Sequence, residues 1–194
     1  ALMTSSNHNT DPIELDDDLD TTPAAIKPTS ALVAAALNAV DTRAVAKALA
    51  ADAQCVVLIH APTQQWARAV AAEVGRIHAD VATILAVESK RDGNGWATDL
   101  LRGYLAKGRN VIVCSQDPQG LLPPAILAAA DIELRLPPVT AKVVKRALER
   151  TSGQSLRGLR DADIAGLDLE DLALVLRDGK HPSETLSRFR RLAE

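Results

Sequence analysis

The sequence predicts an α/β protein: a three-layer sandwich around a mainly parallel sheet of about four to five strands, with a small C-terminal helical annex. Three observations predict it. Four short strand-like runs, Cys55–Ile59, Thr83–Val87, Asn110–Cys114 and Asp131–Leu136, alternate with helix-period segments. Such alternation implies right-handed crossovers and parallel pairing. The first run is continuously apolar and mostly β-branched, the pattern of a strand covered on both faces. The composition then supplies the core: 47% of residues are apolar but only 2% aromatic, so Ala, Val, Leu and Ile must fill it and helices can lie close to the sheet.

Taken in order, residues 1–29 read as a solvated, disordered acidic arm rich in Ser, Thr, Asn, Asp and Pro. Its run Glu14–Leu19 also has the makeup of a short docking segment. Residues 1–30 hold six acids and one base, Lys27, so the remainder of the chain stands near neutral at +2. The sheet domain spans 30–151. Thr29 or Ser30 is expected to cap a helix from Ala31, and Asp41 or Thr42 a second one over Arg43–Ala51. After the first strand, Pro62 and Thr63 open a helix to Ile77 in which Trp66, Val70 and Val74 share a face. A polar turn, Ser89–Gly95, leads into a helix over Trp96–Ala106 that Gly108 closes. Ser115–Gly120 is expected as a loop before a short helix over Pro123–Ala129. The last strand, Asp131–Leu136, alternates, which places it at a sheet edge. Pro137–Pro138 ends it, and Thr140 caps a helix over Ala141–Arg150. The annex, 152–194, reads as three short helices, with Asp168 capping the middle one and Asp171 at its third position, a carboxylate favoured by the helix N-terminus.

Ligands of such sheets bind beyond the carboxyl ends of the strands. In nucleotide-binding proteins the turn after the first strand is the phosphate loop, which needs glycines, a Lys and a hydroxyl. Here that turn is His60-Ala61-Pro62-Thr63-Gln64-Gln65, with only Thr63 of that set. Nucleotide hydrolysis by this chain alone is therefore not expected. Any residual nucleotide contact falls to His60, Thr63, Gln64 and Ser115 at the strand ends. Glu88 stands where a metal-coordinating acid would, but without a phosphate loop it reads as a solvated strand-end residue. No G-x-S-x-G, C-x-x-C or HExxH pattern occurs, and His8, His60, His78 and His181 show no metal spacing. Asp92 and Asp117 are the acids that an unconventional site at His60 would draw on. Cys55 and Cys114 fall inside strands and read as buried apolar thiols. No apolar run reaches the ~18 residues that mark a membrane span, and no secretory pattern opens the chain, so the cytoplasm is the default compartment.

Lys142, Lys145, Arg146 and Arg150 gather on one helix, and Arg188, Arg190 and Arg191 on another. The net charge of -3 and the scarcity of stacking aromatics argue against nucleic acid as the partner. A solvated face, or a surface for an acidic partner, fits better, and the acidic arm itself could lie against it and mask it.

The segment NVIVCSQDPQGLLPPAILAAADIELRLPP (Asn110–Pro138) and the ending LDLEDLALVLRDGKHPSETLSRFRRLAE (Leu167–Glu194) resemble parts of bacterial AAA-type ATPases. In that family a strand ends in a polar sensor residue, here Ser115, before a Leu-Pro-Pro-like turn and an edge strand. The resemblance covers about residues 31–194 and implies a degenerate, P-loop NTPase-like module without its phosphate loop. It implies an N-terminal, non-catalytic domain that recognises a substrate or adaptor protein, while a downstream ATPase module of the same protein uses ATP and magnesium. No cofactor is implied for this chain. Two alternatives stand beside it: a small α/β nucleotide binder or enzyme with a non-standard site, and a nucleic-acid-contacting module.

Overall fold

The computed structural model describes residues 26–51, 53–80, 82–89, 91, 95–177 and 181–193. The acidic run Glu14–Leu19, Asp92 and the turn Asp178–Lys180 lie outside the described residues. Four parallel strands, β1 (Val56–His60), β2 (Ala82–Val87), β3 (Asn110–Ser115) and β4 (Ile132–Arg135), form one sheet in the order β2-β3-β1-β4. The first strand is central: Val56 lies beside Val111, and Leu58 lies between Val113 and Glu133. Side chains fix its start as well as the ladder does. The Cys55 N–H donates to Asn110 Oδ1 at 2.9 Å and the Val56 N–H to Asp131 Oδ2 at 2.8 Å. Both neighbours of β1 thus open with an acceptor that covers a backbone donor the ladder leaves unpaired.

Strand alternation sends side chains to two layers. Val57, Ile59, Ile112 and Cys114 face α1 (Pro28–Leu37), α2 (Arg43–Leu49) and α3 (Gln64–His78). Val56, Leu58, Leu85, Val87, Val111 and Val113 meet Leu101 of α4 (Trp96–Ala106), together with Leu122 and with Ile126 of α6 (Pro124–Ala128). The sheet therefore carries helices on both faces. Trp66, Val70 and Val74 of α3 are buried, as their spacing predicts. Both cysteines are buried, and desolvation pushes the Cys114 thiol up to about 12.

Helix α7 (Ala141–Ser152) completes the first layer and ends at Gly153, whose φ of 68° only glycine adopts without strain. Beyond it come a 3₁₀ turn, η1 (Asp161–Ile164), α8 (Leu169–Leu176) and α9 (Pro182–Leu192). Their apolar residues, Ile164, Leu169, Leu172, Val175, Leu176 and Phe189, belong to the same core cluster as α1, α3 and α7.

Several local expectations give way. The supposed loop at 115–120 contains a short helix, α5 (Pro118–Leu121), capped by Asp117, which accepts from the Gly120 N–H at 3.1 Å. Helix α1 starts at Pro28, ahead of Thr29 and Ser30, because proline fits the first turn; Lys27 sits at the cap position without a side-chain bond. Thr140 makes no side-chain cap. Asp161, from η1, instead accepts the Ala141 N–H at 2.6 Å.

Candidate functional site

The connection leaving β1 packs on one face of the sheet and those leaving β2 and β3 on the other. The carboxyl ends of β1 and β3 therefore part to opposite sides, where an α/β sheet opens a crevice. The segments that meet at this point are His60–Thr63 and Ser115–Asp117. His60 lies beside Ser115 in register, and the Ala61 N–H donates to the Ser115 carbonyl at 2.9 Å. His60 Nε2 stands 2.7 Å from the Gln116 carbonyl oxygen. A carbonyl only accepts, so Nε2 carries the proton and the ring is pinned across the crevice. Asp117 is engaged in its own helix cap instead of facing His60.

Thr63 caps α3. Its Oγ1 accepts from the Trp66 N–H at 3.4 Å and donates to Asp168 Oδ1 at 2.9 Å. Asp168 is itself the cap of α8, accepting from the Leu169 N–H at 2.7 Å, while the Asp168 N–H donates to Asp171 Oδ2 at 3.1 Å. The Glu170 N–H donates to Gln65 Oε1 at 3.1 Å. The first turns of α3 and α8 are thus joined at their N-terminal ends, with the Asp168 carboxylate between them. Helix N-termini attract anions; the Asp168 carboxylate fills that role at α8 and meets α3 through the Thr63 hydroxyl.

Gln64 turns the other way. Its Nε2 donates to Glu88 Oε2 at 2.8 Å, and Arg68 grips the same carboxylate through Nε and Nη2 at 2.8 and 2.7 Å. Glu88 is therefore not the solvated strand-end residue that the sequence suggests; a two-pronged guanidinium four residues along α3 from Gln64 holds it.

Ser115 is fully buried, and its Oγ has no hydrogen-bond partner among the described residues. A cavity of about 200 Å³ lies nearby, lined by Leu58, His60, Pro118, Gln119, Glu133, Leu134 and Arg135. Of these, only His60 is singled out by the sequence. Glu133 and Arg135 carried a usable signal: in an alternating edge strand they share a face, and they pair in register with Leu58 and His60.

The four basic residues of α7 sit apart from the crevice, on the outer side of the helix. Lys142, Arg146 and Arg150 are exposed and Lys145 half-buried, while Val143, Val144, Ala147 and Leu148 point inward. Arg146 and Arg150 line a second cavity, of about 310 Å³, with Ala35, Asn38 and Glu149. Glu149 and the buried Glu73 lower the positive potential there. Glu73 is held below its ordinary carboxylate value first by the Arg76 hydrogen bond, with Ser30 and Arg150 adding to it. Among the described residues no group of three His, Cys, Asp or Glu is placed to hold a metal ion, and no helix is long and apolar enough to cross a membrane.

No protein-family model, curated protein or solved structure matches the chain.

Proposed function

We infer that this chain is a non-catalytic recognition domain, the N-terminal domain of an AAA-type ATPase whose nucleotide chemistry resides in a downstream module. The observation that carries the reading is the Thr63–Asp168 contact. In the turn after the first strand, where a nucleotide-binding sheet holds phosphate, the only hydroxyl is engaged by the Asp168 carboxylate at 2.9 Å. An incoming phosphate would meet like charge there and find neither glycine backbone nor lysine. The recognition face is the basic ridge of α7, suited to an acidic stretch of a substrate or adaptor protein. The annex passes the effect of binding to the ATPase module.

Amide-shift titration of the chain with ATP or ADP and magnesium tests the first half. No saturable change is expected at residues 60–65 or 115–120. In the intact ATPase, Lys142→Glu with Arg146→Glu is expected to raise KM for the protein substrate severalfold while basal ATP turnover holds. Saturable nucleotide shifts at the crevice would overturn this reading in favour of a small-ligand protein. That second reading has its own support in the cavity beside His60, where Glu133 and Arg135 bring opposite charges to one small polar space.

A further inference from the structure

The annex carries an apolar groove between α8 and α9, about 310 Å³ in volume and lined by Leu174, Val175, Arg188, Arg191 and Leu192. Leu174 is 54% exposed and Leu192 46%. Two large apolar side chains lie open beside two arginines, a small patch suited to a segment that offers both aliphatic and acidic groups. Its chemistry specifies the cover: an extended or helical segment with spaced aliphatic residues and several carboxylates.

The chain holds such a segment. Ile13-Glu14-Leu15-Asp16-Asp17-Asp18-Leu19 interleaves three aliphatic residues with four acids. We propose that this acidic segment docks in cis into the α8–α9 groove, its leucines against Leu174 and Leu192 and its carboxylates against the two arginines that line it, Arg188 and Arg191. The basic ridge of α7 is the rival site, but its exposed residues are Lys142, Arg146, Glu149 and Arg150, and its large apolar residues point inward. It meets the charge of the segment and not its leucines. Reach is compatible: α1 begins at Pro28 and packs against α8, and the residues between Leu19 and Ile26 span up to about 23 Å when extended. Complementary charge sets register and selects the occupant, while the buried leucines hold it. The groove is then a surface that the protein covers by itself, and that a stronger acidic partner opens by displacing the segment.

A nitroxide on Thr10→Cys of the full chain tests this, since Cys55 and Cys114 are buried and escape labelling. The amides of Leu174, Val175 and Leu192 are expected to broaden, unchanged on tenfold dilution. Leu15→Ser with Leu19→Ser, or Leu174→Ser at its exposed site, abolishes the broadening while the rest of the spectrum is kept. Asp16→Asn, Asp17→Asn and Asp18→Asn together weaken it and remove its sensitivity to salt. Broadening along α7 instead, or none above the general background, overturns the proposal. So does broadening that appears only when labelled chains are mixed with unlabelled ones, which marks a second copy as the occupant.

Discussion

Ser115 Oγ is a hydroxyl enclosed by protein without a partner among the described residues. Burying such a group costs free energy that alanine avoids. Ser115→Ala is therefore expected to leave stability unchanged or raise it by up to ~1 kcal/mol, read by urea denaturation. A loss of more than that would show the hydroxyl to be satisfied, and with it a role in the fold. Asp168 behaves in the opposite way, because its carboxylate serves the Leu169 N–H and the Thr63 hydroxyl together. Asp168→Ala removes a helix cap and a contact between distant elements, and about 1–2 kcal/mol of stability should go with it. Thr63→Ala in the same background should then cost less than it does alone, since the two changes share one contact, and what remains is the loss of the cap on the Trp66 N–H.

At the scale of elements, α9 hangs on Phe189, the one phenylalanine in the chain and wholly buried. Phe189→Ala should cost about 3–5 kcal/mol, a large share of the ~5–15 kcal/mol that holds a typical domain; thermal and urea unfolding measure it. Elements whose signals are local were legible in the sequence. The apolar runs gave the four strands to within a residue or two, the alternation of Glu133 and Arg135 gave the edge, and the Asp168–Asp171 spacing gave the cap of α8. Contacts made by residues far apart in the chain were not legible. Asp161 replaces Thr140 as the cap of α7 from 20 residues away, and Thr63 finds Asp168 across 105. Helix α5 was hidden because four residues carry no periodicity. Of the expected site, His60 and Ser115 do meet at one crevice, whereas Gln64 is drawn away by Glu88, a pairing that spacing alone does not reveal.

For the molecule as a whole, the shared core of sheet layer and annex predicts one cooperative unfolding transition. Acid should weaken it through Asp163, buried in η1. The Arg160 N–H donates to its carboxylate at 2.9 Å, and that bond foremost holds the group below its ordinary value, with Arg160 and Arg190 side chains assisting. A carboxyl depressed in the folded state binds its proton more readily when unfolded. Its contribution is complete above the ordinary carboxylate range and fades as pH falls through the folded value. Asp163→Asn should be less stable at neutral pH and show a flatter acid limb; circular dichroism melts across pH 2–7 would read both. The junction of α3 with α8 bears on how the protein meets its surroundings. A solute anion that stabilised this fold by lodging at the start of α3 would have to compete with a carboxylate attached to the same chain, present at the equivalent of about millimolar concentration or more. The protein brings its own negative charge to that junction, so added phosphate or nucleotide is expected to leave its melting temperature unchanged.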